Sequence, residues 1–187
     1  FAGQRLQDLR HAWFAPGALA NLALTILGLW ALTQAAPFVP SLDWGNLKSG
    51  LKPLGKTLLN PATFRPLDAL GLALNILALG LLTRMAAIKP IAWPFLLFTL
   101  GVLLLKVPVV GRQLTLEAVA AWLAAMTVLF VLPLRSPASR TLCIGAALLA
   151  AYALAQFETG ESAATYPINW IPFKGQVGTL AGMGDIL

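Results

Sequence analysis

Charge is scarce in this chain. Lys, Arg, Asp and Glu make up 11% of its 187 residues, against about 25% in soluble domains. A chain so poor in charge cannot cover itself with wetted surface, which excludes an ordinary soluble globule. Cysteine is nearly absent: Cys143 stands alone inside an apolar run, so neither an intrachain disulfide nor a Cys-based metal site can form. The single histidine, His11, precedes the first apolar run, which leaves a Ser-His-Asp triad inside a membrane without support. No His or carboxylate pair has metal-ligand spacing, and the glycines of G-T-L-A-G-M-G near the end do not form G-x-G-x-x-G. Acidic residues number seven against thirteen basic ones, a net charge of +6. In so apolar a chain that excess reads as basic residues at bilayer edges, not as a nucleic-acid surface.

What the chain does have is apolar length. Hydrophobic residues make up 58% and the mean hydropathy is +0.78. A membrane-spanning helix needs about 20 mostly apolar residues. Five runs approach that length: about 17–38, 67–82, 91–105, 114–134 and 141–157. They lack period-2 alternation, so strands of a membrane barrel are not expected. The expectation is an all-α, polytopic helix bundle of about five spans, forming one integral membrane domain over 1–187. Beginning at Phe1 and ending at Leu187 in an apolar upturn, the chain reads as the interior of a longer protein.

The connections between the last four runs are short, which predicts antiparallel neighbours. The first link, about 39–66, is long and holds N-L-K-S-G-L-K-P-L-G-K-T-L-L. On a helix Leu47, Leu51, Leu54 and Leu58 would share one face and Lys48, Lys52 and Lys56 another. That pattern suits a segment in the headgroup plane; a solvated basic loop is the alternative. Gly50, Pro53 and Gly55 predict an irregular rather than regular helix.

With five crossings, basic residues divide six against seven between the two sides. Discounting the three lysines of the long link leaves six against four and places the N-terminus inside. One side then collects Asp43, Asp68, Lys106, Arg112, Glu117, Glu158 and Glu161, which predicts a working surface there, on the outer face. Each residue has a structural reading beside the functional one. Lys106 and Arg112 can snorkel to headgroups. Asp68 and Glu117 sit at helix starts, where a carboxylate complements the helix dipole. Asn75 sits near mid-membrane, where an amide usually bonds a neighbouring helix or serves a ligand, and Gly71 and Gly80 beside it would allow close approach.

After the last run comes Y-P-I-N-W-I-P-F-K-G-Q, residues 166–176. Pro167 and Pro172 stiffen it, Tyr166, Trp170 and Phe173 suit the water–lipid boundary, and Asn169 and Lys174 offer an amide and a cation. It is either an anchor or a ligand surface.

The segment N-W-I-P-F, Asn169 to Phe173, resembles the N-x-I-P-F segment of the VanZ-like family of teicoplanin-resistance-associated membrane proteins. Gly111, Arg112 and Glu117 in V-V-G-R-Q-L-T-L-E-A resemble that family's Gly-Arg turn before an acidic helix start. Asp68 and Asn75 in F-R-P-L-D-A-L-G-L-A-L-N resemble its Asp…Asn helix. The chain departs from the family in reading L-L-L-K, Leu103 to Lys106, where a Glu and a Gln are common, and in lacking Pro-x-Gly after Asn75. The resemblance implies a bacterial inner-membrane protein of the cell envelope, linked to glycopeptide tolerance, and supplies no reaction.

Two functions follow as expectations. In the first, outer-face loops bind a membrane lipid, an envelope glycan or a glycopeptide, using Asp68, Asn75, Lys106, Arg112, Glu117, Asn169, Trp170, Phe173 and Lys174. In the second, the chain is an accessory subunit packed against a larger membrane complex. Neither calls for a catalytic residue, a cofactor or a metal.

Overall fold

The computed structural model describes residues 7, 10–36, 38–131 and 136–159, with side chains as far as 155. The chain divides into two compact units, Phe1–Tyr152 and Ala153–Leu187; of the second, the described residues are the continuation of the last helix. From Ala18 onward, six helices follow one another among the described residues: α1 (Ala18–Ala35), α2 (Trp44–Leu59), α3 (Pro66–Ala86), α4 (Ala92–Leu105), α5 (Leu116–Val131) and α6 (Pro137–Thr159), with a 3-10 turn at Pro61–Thr63. Among the described residues there is no strand, only two isolated bridges, Phe14 with Ala87 and Pro40 with Val109.

The helix ends are written in prolines. α1 stops at Ala36, which is extended at φ −66°, ψ 139°, as a residue before a proline tends to be. α3 opens on Pro66, whose missing N–H costs nothing at a helix start. Among the described residues three helices are long and apolar enough to cross a membrane: α1, α3 and, in α6, Pro137–Ala155. Of the five expected spans, these three reach that length. α4 and α5 are apolar but have 14 and 16 residues, about 21 and 24 Å of helix against a hydrocarbon thickness of about 30 Å. Pro90 before α4 and Pro108 after it confine the first of these.

The long first link also departs from expectation. α2 runs unbroken through Gly50, Pro53 and Gly55. Its start is capped by Asp43, whose carboxylate accepts the Gly45 N–H at 3.0 Å. Tertiary packing outweighs the poor helix propensity: Leu54 packs with the buried Leu103, Leu114 and Ala118, and the Gly50 carbonyl accepts the Leu114 N–H at 2.8 Å.

Short links predicted that consecutive helices would be the main neighbours, but α3 packs most extensively on α5. The Arg65 N–H, entering α3, donates to a Glu117 carboxylate oxygen in the first turn of α5 at 3.2 Å. At the far end Arg84 Nη1 donates to the Leu129 carbonyl at 3.4 Å. α3 and α5 therefore run parallel. Their interface holds Ile76, Leu79, Ala125, Met126 and Leu129, closed by Phe95 of α4. Gly80 makes this possible: a Cβ there would strike the Leu129 side chain and lie 3.0 Å from the Phe95 ring. Thr99 of α4 is fully buried; its hydroxyl donates to the Phe95 carbonyl at 2.8 Å and accepts the Trp122 indole N–H at 2.9 Å, so this buried hydroxyl is satisfied on both sides.

Candidate functional site

The segment 107–114 organises one end of the bundle. It threads between the C-terminus of α1, the side of α2 and the start of α5. Ser41 N–H donates to the Pro108 carbonyl at 2.7 Å, and Val110 N–H to the Val39 carbonyl at 2.9 Å. Asn46 of α2 donates from Nδ2 to the Ser41 and Pro108 carbonyls, each at 3.0 Å. Val109 at the centre is fully buried. Gly50 lets the strap pass, since a Cβ there would lie 2.7 Å from the Val107 carbonyl oxygen. Gly111 turns the chain at φ 76°, a left-handed conformation that glycine adopts without penalty.

Arg112 proves to be a helix cap. Its Nε donates to the Ala36 carbonyl at 2.6 Å and its Nη2 to the Thr33 carbonyl at 2.9 Å. The cause lies in the sequence. Within a helix the Thr33 carbonyl would accept from residue 37, but that residue is Pro37 and has no N–H. The guanidinium fills the vacancy and places a cation at the negative end of α1.

Glu117 is a cap of the opposite sign. It is 9% exposed, sits in the first turn of α5, and holds the first turn of α3 through the Arg65 N–H. Thr115 caps α5 itself by accepting the Ala118 N–H at 3.2 Å. Asp68 pairs with the Arg65 guanidinium at 3.0 Å. One carboxylate thus joins two helix N-termini, and a second neutralises the exposed arginine between them.

Lys106 ends α4, where its backbone N–H donates to the Leu103 carbonyl at 3.2 Å; its half-buried side chain has no hydrogen bond to any described residue. Burial pushes its ammonium below the ordinary lysine range, and the nearby Arg112 charge lowers it further.

α2 completes this end with three distinct faces. Asn46, Gly50, Pro53, Leu54 and Thr57 face the bundle and are buried or half-buried. Trp44, Leu51 and Leu58, spaced by seven, face outward at 79%, 45% and 58% exposure. Lys48, Lys52 and Lys56 are exposed along a third face. The predicted leucine face is therefore divided, with Leu54 turned inward. Trp44, Leu47, Lys48, Leu51, Lys52 and Val107 line an open groove of about 550 Å³.

Asp43, Asp68, Lys106, Arg112 and Glu117, which the sequence placed on one side, lie at this single end of the bundle. Asn75 does not. It is exposed, and its Nδ2 donates to the Gly71 carbonyl of its own helix at 2.9 Å, so the expected bond to a neighbouring helix is absent within the described chain. Asn169, Trp170, Phe173, Lys174 and Glu161, like the side chain of Glu158, lie outside the described residues. Among the described residues no three His, Cys, Asp or Glu side chains converge. Sequence reasoning missed Asn46 and Thr99, both of which bond across elements; a polar residue at a helix-facing position was the signal available for each.

No family model, no curated protein and no solved structure matches this chain.

Proposed function

We propose that the chain is a multi-pass, VanZ-like protein of the bacterial inner membrane whose α2 end binds an anionic envelope lipid or a glycan carried on one. The observation that carries this reading is the order of faces on α2. The protein lies on one side of the helix, exposed apolar residues point down a second, and a row of lysines lines a third. A helix lying in the headgroup plane against a bundle has this arrangement. The groove beside it offers an apolar floor and two ammonium groups, the complement of a phosphate joined to an acyl chain. Arg112 serves this site by tying the strap that supports it to the end of α1, Glu117 by joining the starts of α3 and α5, and Lys106 adds a cation next to Val107 of the groove. The VanZ-like motifs extend the ligand class to envelope glycans and glycopeptides.

Five crossings, with the N-terminus inside, accord with the same picture. Although short, α5 starts beside Arg65 and ends beside Arg84, nearly the full length of α3. α4 runs from Phe95 in the core shared with Leu129 to Leu103 beside Leu114, covering the same depth.

The test is native mass spectrometry of the detergent-purified protein titrated with phosphatidylglycerol or phosphatidylcholine. Preferential retention of phosphatidylglycerol, lost in Lys48→Glu/Lys52→Glu, supports the reading. Equal retention of both lipids, or retention unaffected by the double change, refutes it. A second reading, an accessory subunit, draws on the outer helices: only 17% of the spanning window is buried for α1 and 11% for α6, against 44% for α3. Stoichiometric co-purification of other membrane subunits would favour it.

A further inference from the structure

Asn75 occupies the tenth position of the 21-residue α3, about 15 Å along the helix and so at the middle of a hydrocarbon layer about 30 Å thick. Its side chain is exposed. One N–H is engaged with the Gly71 carbonyl, while the amide oxygen has no partner among the described residues. Water would satisfy such a group on a soluble protein, but hydrocarbon cannot. No other carboxamide or charged residue lies in the central turns of the three long apolar helices. One turn earlier on the same side, Gly71 has nothing within 4 Å of where a Cβ would be. Unlike Gly80, it is not filled by any described residue of this chain. The face is bordered by Leu72 and Leu67, both exposed.

We infer that this face of α3 is the docking surface for a second copy of the chain, joined by reciprocal hydrogen bonds between the two Asn75 amides. Charge complementarity selects the occupant. The amide oxygen is negative and the amide nitrogen positive, so the complement of this group is the same group turned around. Two copies share membrane, orientation and depth, and a two-fold axis along the membrane normal brings Asn75 opposite itself with no further requirement of register. Gly71 then admits the second backbone closely, as small residues do at membrane helix contacts. This inference rests on α3 crossing the membrane and is independent of the headgroup reading.

The test is single-molecule photobleaching of fluorescently tagged protein in phosphatidylcholine vesicles over a range of protein-to-lipid ratios. Wild type is expected to form dimers whose fraction rises with density. Asn75→Leu should raise the dimer dissociation constant by about three- to thirty-fold, and Asn75→Gln should restore most of the association. Gly71→Ile fills space that the monomer leaves open, so it should block dimers while leaving the melting temperature of the monomer unchanged. Wild type that stays monomeric at the highest density overturns the inference. So do Asn75→Leu and Gly71→Ile proteins that dimerise like wild type, and so does a stoichiometric partner of another kind at this face.

Discussion

Replacing Arg112 by alanine separates a structural role from a ligand-binding one. The side chain makes two charge-assisted bonds, at 2.6 and 2.9 Å, to the Ala36 and Thr33 carbonyls. Bonds to charged groups contribute about 1.5–3 kcal/mol each, and a cation at a helix C-terminus about 0.3–1 kcal/mol. Both contributions shrink here, because Arg112 is half-exposed and the freed carbonyls can reach water at the bundle end. A total loss of about 1–3 kcal/mol follows, or about 3–10 °C in melting temperature for a chain of this size. Arg112→Lys should recover part of the loss, since an ammonium is a point donor and cannot span two carbonyls as the planar fork does. The assay is thermal unfolding in mild detergent, combined with hydrogen exchange at the end of α1. Faster exchange should appear in the last turn of α1 and in the strap 107–114. Alanine protein that melts within 1 °C of wild type (roughly 0.5 kcal/mol or less), with exchange unchanged and lipid retention lost, would refute the capping role and make Arg112 a ligand cation.

Three further outcomes follow from the same end of the bundle. Gly50→Val places carbon 2.7 Å from the Val107 carbonyl, and because backbone cannot yield as a side chain does, a loss of about 1–3 kcal/mol is expected in the same melt. Glu117→Ala leaves the Arg65 N–H unpaired at the start of α3 and should cost about 0.5–2 kcal/mol, with Glu117→Gln retaining most of the stability. Lys106 has a folded pKa below the ordinary 10.5, so between the two values the unfolded chain holds a proton that the folded one has released. Stability should therefore rise with pH through that window, with the burial penalty fully present below it. Lys106→Met should melt higher than wild type at neutral pH, and the alkaline rise should flatten.

The sequence carried the helical class, because long apolar runs bounded by Pro and by basic residues allow little else. It also carried the grouping of Asp43, Asp68, Lys106, Arg112 and Glu117, since alternation of direction along a helical chain assigns loops to ends. It could not reveal what those residues hold. Arg112 reads as a snorkelling cation until its bonds to the Ala36 and Thr33 carbonyls are known, and these are contacts across more than seventy residues. Gly50 and Pro53 predicted a break in α2 because local propensity was the only term available; the cross-chain bonds to Pro108 and Leu114 outweigh it. The parallel pairing of α3 with α5 was hidden for a related reason: short links say which helices are consecutive, not which side chains interlock. Asn75 lies in the middle of α3, but which way it faces depends on the packing of α1 against the far half of that helix, where Ala20, Ala23 and Ala86 meet.

The central claim is that α2 lies at the membrane boundary with its apolar face in lipid and its lysines in the headgroups. Single cysteines introduced along 44–59 in a Cys143→Ser background, reacted in phosphatidylglycerol-containing vesicles with a membrane-impermeant maleimide, test it directly. Protection is expected at 44, 51 and 58 and reaction at 48, 52 and 56. Uniform reactivity along the helix would place α2 in water, away from the membrane boundary.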